Sequence, residues 1–567
     1  MNDNARSPSP RGRAARSLAL LVLAGAGAIA ACAGAGAGQR GAGASIAGGT
    51  FTPSAPPAAR YGPDPSRTCA SSAIADLVRE DSAKTAAAAR KAAPQTEGRL
   101  CAVAEALLGW DDKQPVPEQL ASFLAQHFGL IQTVPRVTVA TLETDKPEEI
   151  APRVEEVIAQ YLQTASQLRY GLATSKVRRG PVDKSVIASG GSAPSATKIA
   201  VVMQDATVDV EPLPRKLDPG AQATLSGKVL GDLQNPKVLI SDTRGKLQQP
   251  PEQKGKELSA PLSCGGRTGR MVVEIRAESQ GSQRVAAAFP VLCGIDPPAS
   301  VQLGSTASAD GAQEERSIFE QINAERSAAG IAALTWDDKV AQVARSVSQS
   351  DAQTSARGSG SATSEQEVTQ RLKQAGINSG LVLQNPGEAR TAQGAHDRFS
   401  ISPVHRANYM NSDATHGAVG VTVFTLQGGP AAVVTELFVR QLAPVDVASV
   451  HGKLRDAIDR SRASAGTPPL RDDPTLGKVA EEYAKELAAS GGNISNARHS
   501  QLVSPLYRSF RTVDLLSGAK GDPLDVANEK IVLTTKEKLV GIGLAQGNHP
   551  VLGPNTVYVA LVFGTKK

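Results

Sequence analysis

Aromatic residues are scarce in this chain: Phe, Trp and Tyr together make up 3% of its 567 residues. A surface that stacks the bases of single-stranded nucleic acid needs several aromatic side chains, so this binding mode is not supported. The chain also lacks a large excess of one charge, because its net charge of +6 comes from 61 basic and 55 acidic residues. Four arginines lie before residue 17, which leaves the remainder nearly balanced. The sequence therefore predicts no nucleic-acid partner.

Cysteine is also rare, with five residues in the whole chain. No Cys-x-x-Cys spacing occurs and no histidine lies near the paired cysteines, so a zinc site has little basis. Apart from Cys32, the cysteines fall as two local pairs. We predict the disulfides Cys69–Cys101 and Cys264–Cys293, which are typical of an oxidising compartment.

The only long apolar run lies near the N-terminus, where Arg11, Arg13 and Arg16 precede Leu18–Ala31. This run is too short for a comfortable membrane span and is typical of a signal peptide. It ends in Ile-Ala-Ala before Cys32, which resembles the lipobox of bacterial lipoproteins, whose cysteine becomes an acylated N-terminus. The alternative is an ordinary signal peptide cut near the same point. We therefore expect a lipoprotein signal in residues 1–32 and a flexible Gly/Ala/Ser/Pro-rich tether in residues 33–68.

These features predict a protein of the bacterial cell envelope. Its partner is the membrane, through the acyl group on Cys32. No further membrane span is predicted, so residues 33–567 are expected on one side, facing the periplasm or the exterior. The sequence does not distinguish the inner from the outer membrane and leaves the oligomeric state open.

Composition and periodicity change along the chain. Residues 69–205 show apolar residues at helical spacing and then two strand-like runs, which predicts a mixed helix and strand domain. Residues 206–295 contain short β-rich runs bounded by turn residues, which is typical of an immunoglobulin-like β-sandwich. Residues 296–314 are polar and proline-containing and are interpreted as a linker.

The C-terminal half contains a repeat with an offset of 136 residues. The repeated positions are Asn323-Ala-Glu-Arg326, Gly330, Leu334 and Asp337, matched by Asp459-Arg-Ser-Arg462, Gly466, Leu470 and Asp473. Such self-similarity predicts two copies of one domain, at residues 315–443 and 451–567. Between Gly420 and Gly543 the offset falls to 123, so the second copy has lost 13 residues from its middle.

The first copy carries four motifs in order: Asn323–Arg326, Leu334–Asp337, Ser402–Met410 and Gly417–Val421. Taken together they resemble the bacterial branch of the CAP superfamily, the cysteine-rich secretory, antigen 5 and pathogenesis-related 1 group, also called the SCP domain. The resemblance implies an α-β-α sandwich. We therefore expect an α+β multidomain chain with two C-terminal CAP-like copies and the β-sandwich before them. Whether residues 69–205 form a third, degenerate copy stays open.

The resemblance also implies a cleft, which in the family often holds a metal between two histidines and two glutamates. His405 occupies the position of one family histidine, but Gln384, followed by Asn385, stands where the family has glutamate. The region Thr354–Ser364, where the other histidine is expected, contains none. Glutamine cannot ionise and one imidazole is a weak anchor, so we predict no metal and no cofactor. His405, Gln384 and Asn385 remain the cleft candidates, and we expect His405 to hydrogen-bond across the cleft.

Two functions remain open. Ser400 or Ser402 with His405 and Asp397 supplies the residue types of a hydrolase, but Ser402 precedes Pro403 and is expected to cap a helix. No Gly-x-Ser-x-Gly turn frames it. The second copy is more degenerate still, since its His499 lacks the other motif residues. The sequence therefore favours a non-catalytic binding or scaffold protein for a lipid, glycan or peptide. A protease or nuclease-like hydrolase acting around His405 is the alternative.

Overall fold

The computed structural model describes residues 49–567, except residues 133, 178–194, 304–310, 358–361, 427–428 and 521. The predicted signal peptide, Cys32 and the tether before residue 49 lie outside the described residues. Within the described part, no helix is long and apolar enough to cross a membrane. Residues Ala44–Lys567 form one compact unit, so contacts between its regions can be described directly.

Three four-stranded sheets share one strand order, 1-3-4-2 in the sequence order of their own strands. The short first strand is parallel to the third, and the remaining pairs are antiparallel. We call the regions built on these sheets the N-terminal unit (residues 73–205), the middle unit (311–439) and the C-terminal unit (447–566).

The elements of the three units are as follows. The N-terminal unit has helices Ala73–Ala88, Gly98–Leu107, Glu118–His127 and Pro147–Leu162, and strands Gln95–Thr96, Arg136–Leu142, Leu168–Val177 and Ala196–Asp205. The middle unit has helices Gly311–Ala328, Asp338–Ala356, Glu365–Gln374, Ala392–Ser400 and Pro403–Tyr409, and strands Thr335–Trp336, Val382–Ala389, His416–Leu426 and Gly429–Val439. The C-terminal unit has helices Val447–Ser464, Pro474–Ser490, Asn496–Val503 and Lys530–Thr534, 3₁₀ turns Ser504–Arg508 and Pro523–Asn528, and strands Arg471–Asp472, Phe510–Ala519, Leu539–His549 and Gly553–Lys566.

Each sheet carries a separate apolar core on each face, because successive residues of a strand point to opposite sides. In the middle unit, Val419 packs with helix residues Ile318 and Ile322, whereas its neighbour Ala418 packs with Val340 from the opposite helix layer. The other two units have the same pair of cores. All three units are therefore three-layered, with helices on both faces of a sheet.

The first helix of each unit ends in the same way. The second residue after the helix lies in the left-handed region, and these residues are Arg90, Gly330 and Gly466, with φ of 56°, 67° and 68°. Glycine adopts this conformation without steric cost, so the arginine of the N-terminal unit is the exception. Each second helix then begins with an acidic cap, supplied by Glu97, Asp337 and Asp473.

One strand glycine in each unit lies directly against the second helix. A Cβ on Gly420 would lie 2.3 Å from the carbonyl carbon of Ala344, and one on Gly543 would lie 2.0 Å from that of Ala480. Gly171 has the same relation to Leu100 in the N-terminal unit, at 2.1 Å. Only a residue without a side chain permits this approach of helix to sheet.

The all-β region, residues 208–293, contains two sheets around one core. One sheet has strands Val208–Val210, Gln222–Val229 and Glu257–Ser263, and the other has Lys216–Leu217, Gln234–Ser241, Leu247–Gln248, Gly269–Ser279 and Ser282–Cys293. The Cys264–Cys293 disulfide therefore joins one sheet to the other, since Cys264 follows a strand of the first and Cys293 ends a strand of the second. The immunoglobulin-like class stays a prediction.

The second disulfide, Cys69–Cys101, attaches the segment before the first helix to the second helix of the N-terminal unit. Both predicted pairings are thus present in the structure. Their sulfur atoms lie 2.01 Å and 1.99 Å apart. Such bonds are typical of proteins that fold outside the reducing cytosol.

The tether predicted for residues 33–68 requires a correction in its described part. Thr50–Phe51 pairs with Val301–Gln302, and Arg60–Tyr61 pairs with Leu213–Pro214. Tyr61 is buried in the all-β core and donates a hydrogen bond to Pro290 O at 2.7 Å. Composition indicated flexibility, but pairing with strands far away in sequence orders this segment. The same pairing orders part of the predicted linker 296–314.

Candidate functional site

A cavity of about 580 Å³ lies where the N-terminal unit, the all-β region and the middle unit meet. Its apolar surface comes from all three regions: Ala125, Val134, Val285, Ala288, Pro386, Phe399 and Ile401. Charged residues at the cavity include Glu118 and Arg398, which form a two-point ion pair at 2.7 and 2.9 Å. His405 also lines the cavity. The cavity volume is in the range of sites that take small organic molecules.

His405 lies in the helix Pro403–Tyr409, whose first position is a proline with its φ already suited to a helix. Ser402 is the capping residue, as predicted, but its side chain makes no capping hydrogen bond. The imidazole lies 5.0 Å from the Phe399 ring, and its Nδ1 is buried without a partner. Burial lowers the pKa of His405, so the ring is neutral at pH 7.

The hydrogen bond expected from His405 across the cleft is made by its backbone. Asn385 Nδ2 donates to His405 O at 3.0 Å and to Glu436 Oε2 at 2.8 Å. Asn385 Oδ1 accepts a hydrogen bond from Asn408 at 2.9 Å. The imidazole ring of His405 packs on Phe399.

Gln384, the neighbour of Asn385 in the strand Val382–Ala389, belongs to the other face of the sheet, as strand alternation requires. Its Nε2 donates to Thr363 O at 3.3 Å. The structure therefore separates the Gln384 side chain from Asn385 and His405. Gln384 joins the network of Asn385 through its backbone oxygen, which accepts a hydrogen bond from Asn408 Nδ2 at 3.1 Å, and not through its side chain.

A buried ion pair lies beside this network. His396 Nδ1 and Glu436 Oε1 are 2.7 Å apart, and both residues are buried. Burial alone would lower the pKa of His396, but the hydrogen bond and the charge of Glu436 raise it above its ordinary value. Glu436 thus joins His396 to Asn385. Through them it fixes the strand Gly429–Val439 to the two helices that carry His396 and His405.

A second cluster joins the middle unit to the all-β region through Glu325. Its carboxylate accepts hydrogen bonds from Arg270 Nη2 at 2.6 Å, Arg406 Nε at 2.9 Å and Tyr409 Oη at 2.8 Å. Arg406 also donates to Ser241 Oγ at 2.8 Å. Burial would raise the pKa of Glu325, but the two guanidinium groups and the tyrosine lower it to about 2.

The residue types proposed for a hydrolase do not form a relay. Ser400 Oγ donates to Asp397 O at 2.8 Å, and Asp397 Oδ1 accepts from Gln393. Among the described residues, no hydrogen bond joins His405 to either serine or to Asp397. A base must reach the proton that it removes, so this arrangement lacks the geometry of a triad.

A metal of the kind implied by the family resemblance also lacks a ligand set. In the part of the chain that the structure describes, no three residues among His, Cys, Asp and Glu are grouped around one point. Gln384 is engaged with the backbone of Thr363, and His405 with Phe399. The residues present therefore do not fit the metal, and we derive no chemistry through one.

Sequence reasoning missed Glu436, His396 and Glu325. Glu436 was detectable as the single charged residue within the apolar strand Gly429–Val439, which signals a buried and paired group. Glu325 lies inside the repeated motif, but the motif alone did not indicate that Arg270 from another region would reach it.

The C-terminal unit retains little of these two networks. At the offset of 136, Ser461 stands in place of Glu325 and donates to Asn528 Oδ1 at 2.9 Å. His499 Nδ1 lies 3.0 Å from the Tyr483 hydroxyl. The 3₁₀ turn Pro523–Asn528 and the short helix Lys530–Thr534 stand where the middle unit has its two helices before the third strand. These shorter elements account for part of the 13 missing residues, since the second strands (Val382 and Val513 in register) already differ in offset from the second helices.

Comparison with known proteins places one region of the chain in a family. Residues 319–434 match the CAP family model, described as the Cysteine-rich secretory protein family. None of the curated proteins matches the chain. An outer surface protein from Borrelia burgdorferi is similar in structure at 20% identity, over 22% of this chain and 100% of that chain, with a TM-score of 0.19.

Two further solved structures are similar. One is an extracellular protein containing a SCP domain from Bacillus anthracis, at 18% identity, over 31% of this chain and 65% of that chain, with a TM-score of 0.20. The other is a cysteine-rich secretory protein from Staphylococcus aureus, at 15% identity, over 41% of this chain and 82% of that chain, with a TM-score of 0.19. The likeness to the family therefore depends on the match of residues 319–434.

Proposed function

The chain carries a CAP domain at residues 319–434, and from this premise we propose that it is a non-catalytic binding protein of the cell envelope. The observation that carries the proposal is the cavity of about 580 Å³ beside His405, which three regions enclose together. The apolar part of its lining suits an apolar ligand body, and the polar residues beside it suit a ligand with one polar group. An amphipathic lipid is the class that these features favour over a glycan or a peptide.

The polar networks that hold the helix of His405 in place support binding more than catalysis. Asn385, Glu436 and His396 hold one another, and Glu325 is held by two arginines. Groups held in this way stabilise the walls of a site. A hydrolase would need a free base aligned with a nucleophile.

The shared strand order, helix ends and strand glycines support a further part of the proposal. We interpret the N-terminal, middle and C-terminal units as three copies of one CAP-type fold, separated by an immunoglobulin-like sandwich. In this arrangement the N-terminal copy supplies a wall of the cavity through the helix Glu118–His127.

The test is native mass spectrometry of the exported chain, purified without detergent. We expect a bound small molecule that is lost in Val285→Trp, where the larger side chain fills the cavity from an exposed strand position. Val423→Trp is the matched control, because Val423 is also an exposed strand valine but lies outside the cavity. Retention of the molecule in Val285→Trp would contradict this site. Cleaved products that disappear in His405→Ala would instead favour the hydrolase.

Membrane attachment through Cys32 is the remaining part of the proposal. We expect the chain to sediment with membranes and the Cys32→Ser variant to be found in the soluble fraction, because the acyl anchor cannot form. Cys69→Ser is not an equivalent control, since it breaks a disulfide, so Ser45→Ala within the tether serves instead. Membrane sedimentation of Cys32→Ser would exclude lipidation as the anchor.

A further inference from the structure

The C-terminal unit has a cavity of about 980 Å³ of its own. The cavity lies over Arg462, between the loop Thr467–Pro469 and the segment Thr534–Leu539. Arg462 is the repeat equivalent of Arg326 in the middle unit. The two arginines therefore provide a comparison within one chain.

Arg326 is fully enclosed by backbone carbonyl groups. It donates to Ala332 O at 2.9 Å, Tyr409 O at 2.7 Å, Asn411 O at 2.8 Å and Ala414 O at 3.2 Å. Burial lowers the pKa of Arg326 to about 10, and no acidic residue offsets this. The middle unit uses this arginine to hold its loops.

Arg462 makes only the first half of this set. It donates to Pro468 O at 2.8 Å and to Val532 O at 2.5 Å, the carbonyls equivalent to those of Ala332 and Tyr409. The carbonyls equivalent to the other two belong to Thr534 and Glu537, and neither accepts from Arg462 among the described hydrogen bonds. Both residues line the cavity. Arg462 and these two residues therefore line the same cavity without a described hydrogen bond between them.

The residues around the opening have changed in the same direction. Four positions that are neutral or acidic in the middle unit are basic in the C-terminal unit: Thr335, Asp413, Thr415 and Gln441 are matched by Arg471, Lys536, Lys538 and Lys566. Equivalent backbone hydrogen bonds establish which positions correspond. In the C-terminal unit Arg471 N donates to Lys538 O, and in the middle unit Thr335 N donates to Thr415 O. Lys566 Nζ likewise contacts Asp473 at 3.0 Å, as Gln441 contacts Asp337 at 3.0 Å.

Most of this charge is unpaired. In the described part of the chain, Arg471, Lys536 and Lys538 have no acidic partner. Glu537 is the one acidic residue that lines the cavity, and its carboxylate accepts hydrogen bonds from Thr512 and Thr565 at 2.9 and 2.6 Å. Several uncompensated cations around one concave surface attract a multiply charged anion.

We infer that the C-terminal unit binds a phosphate-bearing ligand in the cavity over Arg462. The planar guanidinium suits phosphate oxygens at the base of the cavity, and the lysines at its opening supply charge without demanding one geometry. A phosphate group is favoured over a single carboxylate because a carboxylate carries one negative charge, which cannot neutralise several cations. The degenerate copy would then carry a binding site that the middle copy does not have.

The test uses the full exported chain and two probes. Inorganic pyrophosphate, titrated by calorimetry, represents a free phosphate ligand. Vesicles of phosphatidylcholine containing phosphatidylglycerol represent a lipid headgroup, with pure phosphatidylcholine vesicles as the blank. Binding to either probe supports the site and identifies the source of the phosphate, and we expect it to weaken as salt is added. Binding to neither probe would overturn the inference.

Three variants test whether the phosphate binds in this cavity: two double substitutions of lysine and one substitution of Arg462. Lys536→Gln with Lys538→Gln changes exposed side chains and should fold normally, and we expect affinity to fall about tenfold or more. Lys254→Gln with Lys339→Gln removes the same charge from exposed positions outside the cavity and should change affinity less than about twofold. An equal loss in both would mean diffuse attraction and would overturn the site. Arg462→Gln, checked for folding by circular dichroism, should abolish binding.

Discussion

The middle and C-terminal units place an arginine at the same point of the same helix, and the two side chains meet different surroundings. Around Arg326 the loop closes and four carbonyl groups accept its hydrogen bonds. Around Arg462 two carbonyl groups accept its hydrogen bonds, and the loop residues equivalent to the other two acceptors line a cavity. The scaffold is thus shared down to single hydrogen bonds, while the segment between the second helix and the third strand is free to vary. The two copies differ in that segment and also at single positions outside it, such as Glu325 and its counterpart Ser461.

The largest effect that would test this comparison is expected at Glu325, which has Ser461 as its counterpart. Glu325→Gln leaves Arg406 buried with its charge no longer neutralised, and we expect a loss of about 3 kcal/mol in the free energy of unfolding. Glu320→Gln, an exposed residue of the same helix, is the control. Urea unfolding measures both, and equal stability of the two variants would show that the cluster does not stabilise the middle unit.

The pH dependence of the same variant has a defined sign. The pKa of Glu325 in the folded chain, about 2, lies below its ordinary value of 4.5. Its stabilising contribution is therefore present above pH 4.5 and is lost as the pH falls toward 2. The stability difference between the natural chain and Glu325→Gln should shrink over that interval.

A smaller effect is expected at the glycines that the units share. Gly420→Ala and Gly543→Ala each force a methyl group against the backbone of the facing helix, and we expect each to cost about 2 kcal/mol. Gly477→Ala is the control, because its Cβ would meet nothing within 4 Å and alanine favours a helix. Similar costs at the two strand positions would support a common scaffold. A cost at only one would mean that the helices approach their sheets differently.

The smallest expected effect concerns the titration of the two histidines near the cavity, whose pKa values shift in opposite directions. His396 is held charged by Glu436, whereas burial keeps His405 neutral. In a pH titration followed by NMR of histidine-labelled protein, one resonance should titrate above pH 6.5 and the other below it. The raised pKa of His396 means that its contribution to stability is present below pH 6.5 and is lost as the pH rises through the folded-state pKa. The variants His396→Gln and His405→Gln assign the two resonances. A higher pKa for His405 than for His396 would contradict the two networks described.

The sequence predicted those parts of the molecule that depend on local pattern or on self-similarity. The hairpins of the two C-terminal copies, the capping position of Ser402 and both cysteine pairings follow from such patterns. The cavity could not be predicted in this way, because its walls come from three regions and no sequence pattern shows how these regions pack together. The contact of Arg270 with Glu325 has the same character, since neither residue signals the other across 55 positions.

The cleft candidates show where family resemblance alone stops. Asn385 and His405 are local partners, but through a backbone oxygen that no motif specifies. Gln384 lies on the other face of the sheet, which strand alternation would have indicated had the strand Val382–Ala389 been recognised. The missing signal was therefore the strand and its register rather than the chemistry of the side chains.

The pairing of Thr50–Phe51 with Val301–Gln302 also bears on how the chain would fold during the export proposed above. A chain exported from its N-terminus presents residue 50 first, yet the partner of that residue emerges 252 positions later. Tyr61 likewise needs the strand that contains Pro290. The leading segment must therefore wait, extended and unpaired, until the all-β region has been delivered, and contacts of such long sequence separation form slowly. The first part of the protein to arrive is among the last to be locked in place.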